Sequence, residues 1–172
     1  MLFRSDEIVI FGINDTSEPV TADLRYGLFT LAGTYPLDRC ARVTLEPNAP
    51  TTLASFPRSA WKNPKSSLAF AELSEPATAL TKRGYSRKLI ARHRLVLPLF
   101  KELKWSPAKV KVTVRNGRAT FESETFVWGV CLDLDGERRL PDNFFDLYPG
   151  IPYSIPWRSR AKPRVLYTGN LA

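Results

Sequence analysis

The sequence predicts an all-β protein made of two β-sandwiches in tandem, on three observations. Residues 20–28 and 109–115 alternate apolar and polar positions with a period of two, the pattern of strands that bury one face. Turn-forming dipeptides follow such runs, Asn116-Gly117 above all. Fourteen prolines are spread along 172 residues, which argues against long helices and suits short strands joined by turns.

Size and composition set the outer bounds. The halves read as separate packing units, residues 1–97 and 108–172, with a proline-containing joint at 98–107. Hydrophobic content of 44% and charged content of 24% describe a globular protein and exclude a disordered one. A net charge of +8 raises nucleic acid or an anionic surface as a partner. The basic residues are dispersed, however, and charge alone reports solubility and non-specific attraction, so nucleic acid is the disfavoured choice. Cys40 and Cys131 fall in different halves and join no CxxC or Cys/His pattern, so neither a disulfide framework nor a zinc site is expected. The first residues lack the apolar core of a signal peptide, and no run approaches the ~18 apolar residues that span a bilayer. No membrane association and no cofactor are expected, and the compartment is left open.

In the first half, residues 8–13 form an apolar run too short for a helix, followed by turn formers at 14–19. Residues 20–28 place Val20, Ala22, Leu24, Tyr26 and Leu28 on one face, so a first hairpin of these two runs is expected. Ala32-Gly33 breaks the pattern. Residues 39–45 and 51–56 flank a proline-bounded turn as two further strands. Residues 56–67 read as a loop pinned by Trp61, and 68–73 as a strand buried on both sides. Residues 87–97 close this half, with Leu89, Ala91, His93, Leu95 and Leu97 on one face and Lys88, Arg92 and Arg94 on the other.

In the second half, Val110, Val112 and Val114 share a face of the 109–115 strand. The Asn116-Gly117 turn, which favours positive φ at both central positions, returns 118–123 as its antiparallel partner with Ala119 and Phe121 inward. Residues 126–134 are read as a third strand, with Phe126, Trp128, Val130, Leu132 and Leu134 on one face, ended by Asp135-Gly136. The string Asp142-Asn143-Phe144-Phe145-Asp146-Leu147-Tyr148-Pro149-Gly150 follows. Coming after a Phe-Val strand, it resembles the last immunoglobulin-like domain of the β-mannosidases and related exo-glycosidases of glycoside hydrolase family 2. The first half is similar, more loosely, to the preceding immunoglobulin-like domain of those enzymes, and the joint shares a Lys-Glu-Leu core at 101–103. The spacing Leu147-x-Pro149-Gly150-x-x-Tyr153 looks like a tyrosine corner, whose hydroxyl returns to a backbone carbonyl upstream.

The resemblance implies two tandem immunoglobulin-like sandwiches from the non-catalytic C-terminal region of a β-mannosidase-type hydrolase, with the parent's catalytic barrel as partner. A retaining glycosidase holds two carboxylates ~5 Å apart, and in this family both belong to the barrel. Nothing in the chain shows the βα alternation of a barrel, so no catalytic residue is assigned and no metal ligand either. The competing class is a free-standing carbohydrate-binding or adhesion module.

Four features carry the remaining chemistry. Asp142, Asn143 and Asp146 form a polar cluster that reads as backbone-bonding residues at strand ends, against a Ca²⁺ site or sugar patch. Trp61, Trp105, Trp128 and Trp157 read as packing area, against stacking platforms for sugar rings. His93 is the only histidine and reads as packed on an apolar face. Residues 82–88 with Arg92 and Arg94 are the densest basic run and read as charge protecting an edge strand.

Overall fold

The computed structural model describes residues 1–4, 6–77 and 88–170. It is all-β: twelve strands and two single 3-10 turns, with no α-helix among the described residues. Two compact units make up the chain, Met1–Phe29 with Tyr35–Glu102, and Thr30–Thr34 with Leu103–Ala172.

The first unit is a sandwich of two sheets. Strands β1 (Leu2–Arg4), β2 (Glu7–Ile13) and β5 (Pro50–Pro57) form one sheet in the order β1-β2-β5. The other contains β3 (Val20–Thr30), β4 (Leu37–Leu45), β6 (Ser67–Ser74) and β7 (Leu89–Leu95) in the order β4-β3-β6-β7. The predicted hairpin of β2 and β3 is therefore not formed, since the two strands lie in different sheets. Both need the same core: Ile8 and Ile10 enter it from one side, and Ala22, Leu24, Tyr26 and Leu28 from the other. Residues 14–19 form an arch in place of a hairpin turn. Buried Asn14 closes it by donating its amide to the Glu18 and Leu45 carbonyls (2.7 and 3.2 Å) and accepting from the Thr16 N–H (3.1 Å). An Asx side chain supplies here the bonds that a ladder would otherwise make.

Strand β6 is central and buried on both faces, as its unbroken apolar run predicts. Ala69, Ala71 and Leu73 face the sandwich core, while Phe70 packs on the outer face against Phe29 and Tyr35, both at 5.5 Å. The Arg25 guanidinium lies 4.8 Å from the Tyr35 ring centre and pairs with both oxygens of Asp38. Trp61 is buried in the loop after β5 and donates its indole N–H to Ser67 Oγ (2.9 Å), the expected pin. At the joint, Glu102 accepts from the Leu99 N–H (3.1 Å) and from Lys65 (3.3 Å). Those two bonds, the first foremost, hold its carboxyl below the usual range.

The second unit pairs β8 (Lys111–Arg115), β9 (Arg118–Glu122) and β12 (Tyr153–Pro156) in the order β12-β9-β8, beside a two-stranded sheet of β10 (Val127–Val130) and β11 (Phe145–Leu147). The hairpin at Asn116-Gly117 is present, with φ of 48° and 71°. It sets Val114 opposite Ala119 and Val112 opposite Phe121, and Ala119 and Phe121 are fully buried.

The third strand departs from its predicted alternation. β10 ends at Val130, and its register against β11 shifts between Val127 and Val130. Gly129 sits in the bulge with φ of 60°, a conformation open to glycine. The extra residue brings Val127 and Val130 into the core together and leaves Trp128 half-buried, while Leu134, beyond the end of β10, is 61% exposed. Phe126 and Leu132 are buried as expected. Trp128 stacks at 17° on Trp105, with ring centres 5.8 Å apart.

Two tests follow from the first unit. Gly27 has φ of 150°, and a Cβ built there would lie 2.0 Å from the Leu37 carbonyl oxygen on the paired strand. Gly27→Ala should therefore destabilise the protein by about 2 kcal/mol or more in urea unfolding, and an unchanged midpoint would show that β4 simply moves aside. Tyr35 is pushed up to about 12, chiefly by burial, with Asp38 and Glu72 adding and Arg25 and Arg92 opposing. A folded pKa above the unfolded value of ~10 gives stability that is complete below that value and lost as pH rises through about 12. Across that window the wild type should lose stability relative to Tyr35→Phe, which has no phenol to ionise, in unfolding curves taken at rising pH, and parallel curves would show that another group is responsible.

Candidate functional site

The polar cluster of the second unit is built on the ends of β10 and β11. Where β10 breaks, backbone donors are left without ladder partners, and side chains take them. The Gly129 N–H donates to Asp146 Oδ1 (3.0 Å), the Leu132 N–H to Asn143 Oδ1 (2.8 Å) and the Trp128 N–H to Asn170 Oδ1 (2.8 Å). Asn143 also donates to the Asp133 carbonyl (2.6 Å), and Asp142 accepts the Asn143 N–H (2.8 Å). The Tyr153 hydroxyl donates to the Asp142 carboxylate, so the corner closes on a side chain where the spacing predicted a backbone carbonyl.

Sequence reasoning brought Asp142, Asn143 and Asp146 together correctly but missed two members. Asp133 is buried and accepts the Asp135 and Arg138 N–H groups (3.3 and 2.6 Å). Its signal was present, because an Asp two residues before Asp135-Gly136 is placed to make an Asx-turn. Asn170 ties Trp128 to the Ser106 and Phe126 carbonyls (2.9 and 2.7 Å). No local pattern announces that asparagine. Among the described residues no group of three or more His, Cys, Asp or Glu side chains is arranged to hold a metal ion.

The tryptophans separate by environment. Trp61 is core, and Trp105 and Trp128 stack on each other. Trp157 is half-buried, with its N–H bonded to the Gly117 carbonyl (2.7 Å) and its indole N–H to the Ala161 carbonyl (2.8 Å). It lines an open cleft of about 780 Å³ together with Arg138, Arg139, Leu140, Arg158 and Ser159.

His93 lies on the core-side face of β7, opposite Ala71, as its alternation predicts. Its burial does not follow, because β7 is an edge strand of a four-stranded sheet whose partner sheet has only three strands, and Ala91 and His93 are left exposed. What desolvation remains, then the N-terminal amine and Arg94, lowers its pKa. Arg92 pairs across strands with Glu72 (2.8 Å) on the other face. Arg92 and Arg94 lie on this edge strand, but Arg92 is largely buried in its ion pair and is not a solvated charge along the edge. The rest of the basic run, residues 82–87, lies outside the described residues. Cys40 is exposed on β4 and Cys131 is buried in the second unit.

Residues 6–86 match the family described as Mannosidase Ig/CBM-like domain. The fold matches a crystal structure of β-D-mannosidase from Dictyoglomus thermophilum at 20% identity and a TM-score of 0.72, over 94% of this chain. The chain corresponds to only 19% of that enzyme's length. No curated protein sequence matches it.

The bulge separates two aromatic residues that strict alternation would treat alike. Phe121→Ala should cost about 3–5 kcal/mol, the range for a fully buried aromatic, and Trp128→Ala clearly less, about 1–2 kcal/mol. Denaturant midpoints of the two variants test this ordering. Equal losses would return Trp128 to the core.

Proposed function

We propose that this chain, whose residues 6–86 match the mannosidase Ig/CBM-like domain family, is the non-catalytic β-sandwich region of a β-mannosidase-like glycoside hydrolase. In this reading residues 1–97 and 108–172 are two immunoglobulin-like modules, 98–107 is their joint, and their role is to support a catalytic barrel elsewhere in the parent protein. The family match carries the reading, and the fold likeness over nearly the whole chain supports it.

The chemistry of the described residues agrees. Asp133, Asp142 and Asp146 each accept a backbone N–H, and Asp142 also takes the Tyr153 hydroxyl. Carboxylates committed in this way stabilise turns and bulges and are poorly suited to serve as a nucleophile or proton donor at a glycosidic bond. The bonding partners that make the cluster structural are the ones a catalytic pair would need to leave free.

The isolated chain should therefore show no turnover of an aryl β-mannoside above buffer. The coding sequence adjoining it should specify a barrel with two catalytic glutamates. Turnover by the isolated chain that disappears on substitution of one of its own glutamates would contradict the proposal.

A further inference from the structure

The second unit carries a basic cleft around Trp157. Arg138, Arg139 and Arg158 line it, and no carboxylate does. Among the described residues none of these three guanidinium groups enters an ion pair. Three unneutralised guanidinium groups around one concavity repel one another, and an anion within it removes that cost. The apolar part of the lining is Leu140, Pro141, Pro156 and Trp157, of which Trp157 alone is aromatic.

The walls are held in place without a ligand. Trp157 is fixed at its backbone by Gly117 and at its indole N–H by Ala161. The Ser159 hydroxyl accepts the Ala161 N–H (3.1 Å) and closes the turn that carries Arg158. On the other wall, buried Asp133 anchors the Arg138 N–H, and the Leu140 N–H returns to the Arg138 carbonyl (2.9 Å). The ordered backbone spares binding the cost of fixing the loops, and leaves that of ordering the three arginine side chains.

We propose that this cleft binds an acidic oligosaccharide, with sugar carboxylates paired to Arg138, Arg139 and Arg158 and a pyranose face stacked on Trp157. Guanidinium groups match carboxylates through paired N–H donors, and an aromatic face offers the flat apolar surface that the C–H side of a sugar ring covers. A volume of about 780 Å³ accommodates a short oligosaccharide. Single-stranded nucleic acid is the other anion with rings, but its binding surfaces present several aromatic residues along a basic track. This cleft has one ring at one place. The site goes beyond the supporting role proposed above and does not rest on the parent's activity.

Isothermal titration of the full chain with tetragalacturonate, its fully methyl-esterified form, mannotetraose and an oligothymidylate tests this directly. The acid should bind, the methyl ester at least about tenfold more weakly, and mannotetraose more weakly still. Arg138→Gln and Arg158→Gln should each weaken the acid by about tenfold at an unchanged melting temperature, both side chains being exposed. Trp157→Phe, which keeps an aromatic face, should retain most of the affinity. The proposal is overturned if the acid shows no binding at millimolar concentration, if the methyl ester binds as well as the acid, if folded arginine variants bind like the wild type, or if oligothymidylate binds more tightly than the uronate.

Discussion

A backbone N–H inside a β-sandwich must find an acceptor, and around the break in β10 three of them, at Trp128, Gly129 and Leu132, find theirs on side chains. Asn170, Asp146 and Asn143 take one each. Leaving any of these donors unpaired would cost about 1–3 kcal/mol, a large share of the stability of so small a unit. The Asp-Asn-x-x-Asp string is therefore as much a part of the sandwich as the strands are. It lets a bulged strand put Val127 and Val130 into one core while turning Trp128 aside onto Trp105.

The first unit solves a related problem in the same way. An arch between sheets cannot use ladder bonds, and Asn14 replaces them by bonding across residues 14–18 and to the Leu45 carbonyl. In both units an Asx side chain stands where the chain leaves regular pairing. Polar residues at these positions serve the backbone first, which is why a cluster of acidic and amide groups can be dense without forming a metal or catalytic centre.

Much of the fold was legible in the sequence, for reasons that differ by element. The Asn116-Gly117 hairpin is a local event fixed by two residues, and its register and burial follow from them. The buried run of β6 and the pin at Trp61 were readable because uninterrupted apolarity and a lone aromatic in a polar loop have few other solutions. Pairing between strands was not legible. Alternation in residues 8–13 and 20–28 gives the facing of each strand but not its sheet, and sequence proximity favoured a hairpin where the core needed an arch. The bulge at Gly129 escaped for a similar reason, since a glycine within an alternating run is compatible with either register. His93 shows the limit of facing itself, because a side chain may point coreward at a sheet edge that nothing covers. The arginine cleft was invisible to local reading, since it joins residues 138–141 to 156–159 across the fold.

In both units the conspicuous polar residues stabilise places where the chain leaves regular strand pairing. If the Asp-Asn-x-x-Asp string supports β10, amide hydrogen exchange should find Leu132 strongly protected in the wild type and unprotected in Asn143→Ala, with a stability decrease of about 1–3 kcal/mol in denaturant. Unchanged exchange at Leu132 together with an unchanged unfolding midpoint would contradict it, and would mark Asn143 as a residue kept for something outside the fold.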